Sequence, residues 1–457
     1  MEIRAEKEEK RRFEKRDIQK VVRMAWPSAL ESFFVALAGI VDTYMVSNLS
    51  SEAVAAVGLT TQPKFIGLAP FMALKIAISA LVARRFGQGD RHKANSVMVM
   101  GLVFTIIGSV LMSVICVIYA EPILRFVGSQ QDTHEYAVTY FRIIMGGMMF
   151  NTIQLAVNAA QRGVGNTKIA MRTNVTANVV NVIGNYLLIE GHLGFPALGV
   201  AGAAIATVFG TVVAFVMSIL SVLKKDSFVS LIYAVKKKIG FAADQLASMG
   251  KLFGSELAEQ YLVRIGFLLT AMFAADMGTD AFAAHQVGMN FMSLTFALGD
   301  GFSVAAVALI GKSLGEEKTE MAKNYAGICH RFALCLSAVM ALFFLFGGRT
   351  IFSLFFAEKV IIEYGVIISR MLMVICLLQM SQVVFTGCLR GAGDMVYVMI
   401  LGCISVAVLR PMSAYLLAYV CELGLLGVWC GIMVDQGVRL LGTYLRYRSG
   451  KWTMIKI

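Results

Sequence analysis

Arg162-Gly163-Val164-Gly165 returns as Arg390-Gly391-Ala392-Gly393, 228 positions further along the chain. The same offset, without a gap, carries Glu31 onto Glu259, Ala53-x-Ala55-Ala56 onto Ala281-x-Ala283-Ala284 and Gly87 onto Gly315. It also carries Glu135-Tyr136 onto Glu363-Tyr364, Arg142 onto Arg370, Gln154 onto Gln382 and Gly199-Val200 onto Gly427-Val428. A chain of 457 residues that repeats itself at this spacing is one half-molecule written twice.

Composition says what kind of half. The chain is 58% hydrophobic, only 15% charged, and holds 6 prolines; its mean hydropathy is +0.72. A soluble domain carries about a quarter charged residues. Apolar stretches of about 20 residues recur throughout, each long enough to cross a bilayer as a helix. They are continuous, whereas the strands of a membrane barrel alternate. About twelve spans follow. Six lie near 24–46, 53–82, 96–120, 137–160, 171–190 and 197–223, and six near 253–275, 281–310, 328–347, 364–388, 395–420 and 424–446. Six per half is even, so both halves enter the membrane in one orientation. The expected fold is an all-α polytopic membrane protein of two pseudo-symmetric six-helix bundles, a parallel repeat about an axis along the membrane normal.

The formal net charge of +12 is distributed as an address rather than a nucleic-acid surface. Lys and Arg crowd the N-terminus and alternate loops, such as Arg84-Arg85 with Arg91, Lys168 with Arg172, and Lys312 with Lys318. Intervening loops such as 47–52 and 276–280 carry none. This positive-inside pattern predicts both termini in the cytoplasm, in the cell (inner) membrane. The expected divisions are a cytoplasmic segment 1–23, a first lobe 24–223, a cytoplasmic linker 224–251, a second lobe 252–446 and a tail 447–457. The first 20 residues read as a solvated helix without the apolar core of a signal peptide. Eight cysteines without a C-x-x-C suggest neither a disulfide framework nor a zinc site.

No enzyme is visible. Gly311-Lys312-Ser313 imitates the end of a phosphate loop, but Ala306 stands where the first glycine belongs. Uphill transport would therefore draw on an ion gradient or the membrane potential, with no cofactor.

Ionisable residues inside spans are expensive and must face protein or water. Asp42 lies near the outer end of the first span and has Thr270 as its repeat mate, so this carboxylate belongs to one half only. Asn181 and Asn185, one turn apart on the fifth span, and Thr207 on the sixth reach a similar depth. A carboxylate among amide and hydroxyl oxygens suits a hard cation such as sodium. Partial desolvation equally suits a proton carrier, and a plain helix-end cap is the third reading. Depth counting at about 1.5 Å per residue matches Glu31 with Lys75, and Arg264 with Asp300, as helix-locking pairs or cavity residues. Glu259, followed by Gln260, has no obvious partner beyond Arg264 and is a candidate contact for a cationic substrate. The arginines of the two Arg-Gly-x-Gly turns are expected to meet helix C-terminal carbonyls, and the glycines to permit tight turns. Met and Phe lining a cavity would accept varied apolar ligands.

Pro27, Asp42-Thr43-x-Met45-Val46, Ala53-Val54-Ala55-Ala56-Val57-Gly58 and Gln161-Arg162-Gly163-x-Gly165-x-Thr167-Lys168 resemble the multidrug and toxic compound extrusion (MATE) family. Glu259-Gln260, Ala283-Ala284-His285-Gln286 and Leu389-Arg390-Gly391 continue the resemblance in order. It implies two six-helix bundles around a cleft that opens alternately to either side. It also implies export of amphipathic, often cationic, organic compounds in exchange for sodium or protons by a monomer. The family's N-lobe cation site then maps onto Asp42, Asn181, Asn185 and Thr207. The chain departs where Asn185 replaces a second acid, and where Arg264 and Gln379 stand at C-lobe acid positions. Two other classes remain open: a flippase of lipid-linked sugars, and a passive channel.

Overall fold

The computed structural model describes residues 2–47, 51–127, 129, 131–224, 227–240, 243–356 and 358–455. Helices follow one another with short turns: α1 (Glu2–Ser47), α2 (Ser51–Gly87), α3 (Arg91–Ile118), the short α4 (Ala120–Phe126), α5 (Gln131–Gly146), α6 (Met148–Gly163), α7 (Thr167–Leu188) and α8 (Gly199–Val222). A six-residue α9 (Leu231–Lys236) sits in the linker. Then come α10 (Ala243–Asp276), α11 (Thr279–Gly315), α12 (Thr319–Ser353), α13 (Lys359–Ala392), α14 (Met395–Gly402), α15 (Arg410–Tyr415) and α16 (Gly424–Arg448). No strand occurs among the described residues.

Ten of these stretches are long and apolar enough to cross a membrane, and α5 with α6, bent by 44° between them, brings an eleventh. The twelfth expected span falls on α7, whose 22 residues extend about 33 Å, enough for a hydrocarbon core of about 30 Å. Its apolar character is diluted by Asn174, Asn178, Asn181 and Asn185, a stripe at helical spacing. Between α14 and α15 the helix widens into π-helix over Cys403–Leu409, and again over Leu416–Val420. Pro411, which has no N–H to donate, sits in the short α-helical turn between them.

The chain divides into two compact units, residues 30–253 and residues 254–457 with 1–29, so the division falls inside α1. The first unit has cores around Phe141 and Met145, and around Val46, Ala203 and Ile189. Its linker is not a loose tether. Arg91 at the start of α3 donates to the carbonyls of Ser227 (2.7 Å) and Phe228 (3.2 Å) and stacks on Tyr233. Buried Asn95 donates to Phe228 O and accepts from Ser230 N–H, and Ser96 holds Gly240 O. Arg85 reaches buried Gln245 at 3.1 Å.

The second unit packs Trp429, Phe344 and Phe352 in one core and Tyr325, Met380 and Trp452 in another. The N-terminal end of α1 joins this second core. Asp17 accepts from Asn324 and Tyr325 at 3.1 Å each, and Val21 is fully buried. The residues closest to the first span are therefore docked rather than solvated.

Candidate functional site

The Arg-Gly-x-Gly turn has the same physical design in both units. Gly165 (φ 85) and Gly393 (φ 89) adopt the left-handed conformation that glycine takes without a Cβ clash. Their N–H groups close on Arg162 O and Arg390 O, and the next residues, Asn166 and Asp394, close on Gln161 O and Leu389 O at 2.8 and 2.9 Å. These bonds satisfy orphan carbonyls at the helix end. The first glycine lets two backbones approach: a Cβ on Gly163 would sit 2.8 Å from Ser79 O, and one on Gly391 2.7 Å from Val307 O. Ser79 and Val307 are themselves 228 positions apart.

The arginines of these turns, expected at helix C-terminal carbonyls, are found on carboxylates. Arg162 forms a hydrogen-bonded ion pair with Glu31 of α1, and Arg390 forms one with Glu259 of α10 at 2.9 Å. Both pairs span 131 residues. Asn174 of α7 also donates to Glu31, and Gln154 of α6 donates to Asn174 at 2.5 Å. The contacts found at Glu31 are thus those of Arg162 and Asn174, and Glu259 is met by Arg390 rather than depending on Arg264. Breaking such a pair would leave a charge in low dielectric with no compensation. The repeat is not copied perfectly. In the second unit Arg390 also donates to fully buried Glu256 at 2.9 Å, and the residue 228 positions before Glu256 is Ser28.

Of the expected cation-site residues, the first unit brings two into contact. Buried Asn181 donates through Nδ2 to Thr207 Oγ1 at 3.0 Å, and that hydroxyl donates to Ala203 O at 2.9 Å. Asn185, 1% exposed, lies one turn further along α7. Asp42 belongs to α1, but its side chain lies outside the described residues.

Thr207 has a second neighbour that the sequence did not suggest. It forms part of the wall of a cavity of about 230 Å³ lined by Phe65, Met72, Met145, Met148, Asn151, Thr211 and Lys64. Three methionines and a phenylalanine give this wall adaptable apolar contacts, while the threonines and Asn151 give it polar points. Which Met and Phe faced a cavity was not legible from spacing alone, because it depends on how α2, α5, α6 and α8 rotate against one another.

In the second unit, Glu259, Gln260, Arg264 and Asp300 are all half-buried, as is Lys75 in the first. Gln379 is buried and accepts from Thr295 Oγ1 at 2.7 Å, a neutral hydrogen bond. Among the described residues, no group of three or more His, Cys, Asp or Glu is placed to hold a metal ion.

Two tandem helical units, each with a Glu–Arg pair joining its first span to the turn after its fourth, define an internally repeated polytopic membrane protein. The MatE family model matches residues 27–187 and again 257–416, once in each repeat. The chain belongs to the multidrug and toxic compound extrusion (MATE) family. It is 25% identical over 440 residues to a probable multidrug resistance protein NorM of Thermotoga maritima, covering 95% of this chain and 93% of that one. It is 28% identical over 451 residues to the multidrug resistance protein MdtK of Yersinia enterocolitica, covering 94% and 95%. Its fold matches an outward-facing multidrug resistance MATE family transporter of the MOP superfamily with a TM-score of 0.88, at 23% identity, covering 95% and 97%. A MATE protein in complex with MaL6 matches equally well, with a TM-score of 0.88 at 23% identity over 95% and 97%.

Proposed function

We propose that this chain is a cation-coupled antiporter that exports amphipathic, often cationic, organic compounds by alternating access, with sodium or protons as the coupling ion. The observation that carries the reading is Thr207. Its hydroxyl takes part in the buried Asn181 pair, and the residue also lines the Met- and Phe-lined cavity. An ion held among Asp42, Asn181, Asn185 and Thr207 would touch the wall of a space suited to an apolar guest. Coupling works only if ion and substrate bind the two access states with different affinities, and a shared wall lets occupation by one disfavour the other. The relatives named as multidrug resistance proteins support an organic cargo of varied structure. Cytoplasmic placement of both termini follows the Lys and Arg distribution.

The test is drug efflux from cells carrying Asp42→Asn, with membrane abundance measured alongside. Efflux should collapse while the protein still reaches the membrane. Unchanged efflux at normal abundance would remove Asp42 from the coupling site.

A further inference from the structure

The second unit contains a charged interior that the antiport reading does not use. Arg410 of α15, between the two π-helical stretches, is 0% exposed. Its guanidinium lies 4.2 Å from the Phe267 ring centroid. The nearest carboxylate contact is Nη1 to Asp435 Oδ2 at 3.9 Å, beyond hydrogen-bond reach. Nε, Nη1 and Nη2 have no hydrogen-bond partner among the described residues. Among the described residues, none of the nitrogens that carry its five N–H donors has a hydrogen-bond acceptor.

Asp435 does not neutralise Arg410, because it is already committed. Arg439 grips both of its oxygens at 3.0 and 2.9 Å, and Ser405 Oγ donates to Oδ1 at 2.7 Å. Two guanidinium groups share one carboxylate, which leaves one positive charge in excess. Two buried ring nitrogens of the same unit also have no hydrogen-bond partner among the described residues. His285 Nδ1 and Trp429 Nε1 belong to rings in edge contact, centroids 5.6 Å apart, and His285 lies within electrostatic reach of Arg410. A guanidinium and an indole only donate.

The repeat gives this cluster a place. Asp435 lies 228 positions after Thr207, Arg439 the same distance after Thr211, and Arg410 the same distance after Val182, the neighbour of Asn181. Two hydroxyl-bearing positions of the first unit's cavity wall, Thr207 and Thr211, are thus occupied in the second by the charged Asp435 and Arg439, beside Arg410. π-helical stretches within helices concentrate at functional sites, and here two of them bracket the arginine.

We propose that the second unit binds a small inorganic anion, with chloride as the physiological candidate, on the guanidinium of Arg410, with the ring nitrogens of His285 and Trp429 as further candidate contacts. Water alone would fill donors but leave the excess charge uncompensated inside a membrane-embedded lobe, where an unpaired ion is costly. A monovalent acceptor meets both needs at once.

The test uses the full-length protein purified in detergent, with radiolabelled chloride and gluconate as the replacement anion. Saturable binding near one chloride per chain is expected. Arg410→Gln should weaken it by at least about tenfold, the loss of a charge-assisted hydrogen bond, while Lys237→Gln on the linker leaves it unchanged. Should Arg410→Gln not fold, Trp429→Phe removes one donor and little volume and should weaken binding severalfold. Crystals of the unaltered protein soaked in bromide should then show an anomalous peak beside Arg410. No saturable chloride binding in the unaltered protein would overturn the proposal, and so would binding that Arg410→Gln leaves intact or a bromide peak elsewhere only.

Discussion

Glu31 and Arg162 hold each other in the first repeat as Glu259 and Arg390 do in the second, each acid and each arginine displaced by the same 228 positions. The arginine comes from the turn after the fourth span of its lobe and the acid from the first. Each pair therefore fastens the ends of a four-helix segment together from within.

The energetic consequence is asymmetric. Arg162→Ala leaves Glu31 buried without its cation, and removal of one partner of such a pair costs about 3–5 kcal/mol. The melting temperature of purified protein in detergent should fall sharply. The double variant Glu31→Gln with Arg162→Gln should recover much of the loss, since no charge is then stranded. Arg390→Ala should be more damaging than Arg162→Ala, because it strands both Glu256 and Glu259.

The turn glycines make a second prediction. Gly163→Val and Gly391→Val press a branched side chain onto the carbonyls of Ser79 and Val307. Overpacking of this kind costs about 1–3 kcal/mol, so both variants should lower thermal stability and yield. Gly165→Ala and Gly393→Ala meet a conformational penalty instead, about 1–2 kcal/mol at positive φ. Thermal unfolding of the four variants, compared pairwise across the repeat, checks whether the two turns are energetically equivalent.

The repeat, the helical fold, the family and the approximate positions of the spans were legible in the sequence, because apolar length and a gapless offset are one-dimensional signals. The pairings were not. Counting depth along helices offered Lys75 to Glu31 and Arg264 to Asp300, and left Glu259 with no obvious partner beyond Arg264, yet the contacts found at the two glutamates come from Arg162, Asn174 and Arg390. Depth fixes how far a residue sits across the membrane but says nothing about which way its helix is turned. The asparagine stripe of α7 shows the same limit. Asn181 and Asn185 were legible as a pair at one depth, while Asn174 belonged to a different network one face-length away. That the offset maps Glu31 onto Glu259 and Arg162 onto Arg390 is a signal in the sequence from which the two ion pairs could have been found.

The linker supplies a third prediction. Arg91, Asn95 and Ser96 clamp residues 227–240 by hydrogen bonds to their backbone. Arg91→Ala with Asn95→Ala should release this segment. Trypsin should then cut faster at the exposed Lys236, Lys237 and Lys238, while the transmembrane helices stay resistant. Equal cutting rates in the two proteins would show that the clamp contributes nothing to the order of the linker.

The Asn181 and Thr207 pair provides a fourth. Thr207→Val keeps the side-chain volume, removes the hydroxyl and leaves Asn181 Nδ2 without its 3.0 Å acceptor. A buried amide so deprived costs about 1–3 kcal/mol locally. Ion dependence of efflux should shift to higher ion concentration, with substrate binding in the absence of the ion changed much less. Asn181→Ala should act in the same direction. A shift in substrate affinity without one in ion dependence would separate this pair from coupling.

Cation coupling itself is tested most directly in proteoliposomes, with purified protein, an organic cation as cargo, and an imposed sodium or proton gradient. The organic cation should accumulate against its own gradient when either ion flows the opposite way, and stop when the ion gradient is collapsed or when Asp42→Asn replaces the unaltered chain. Movement that proceeds equally without any gradient, or translocation of a lipid-linked sugar in place of the organic cation, would contradict cation-coupled export.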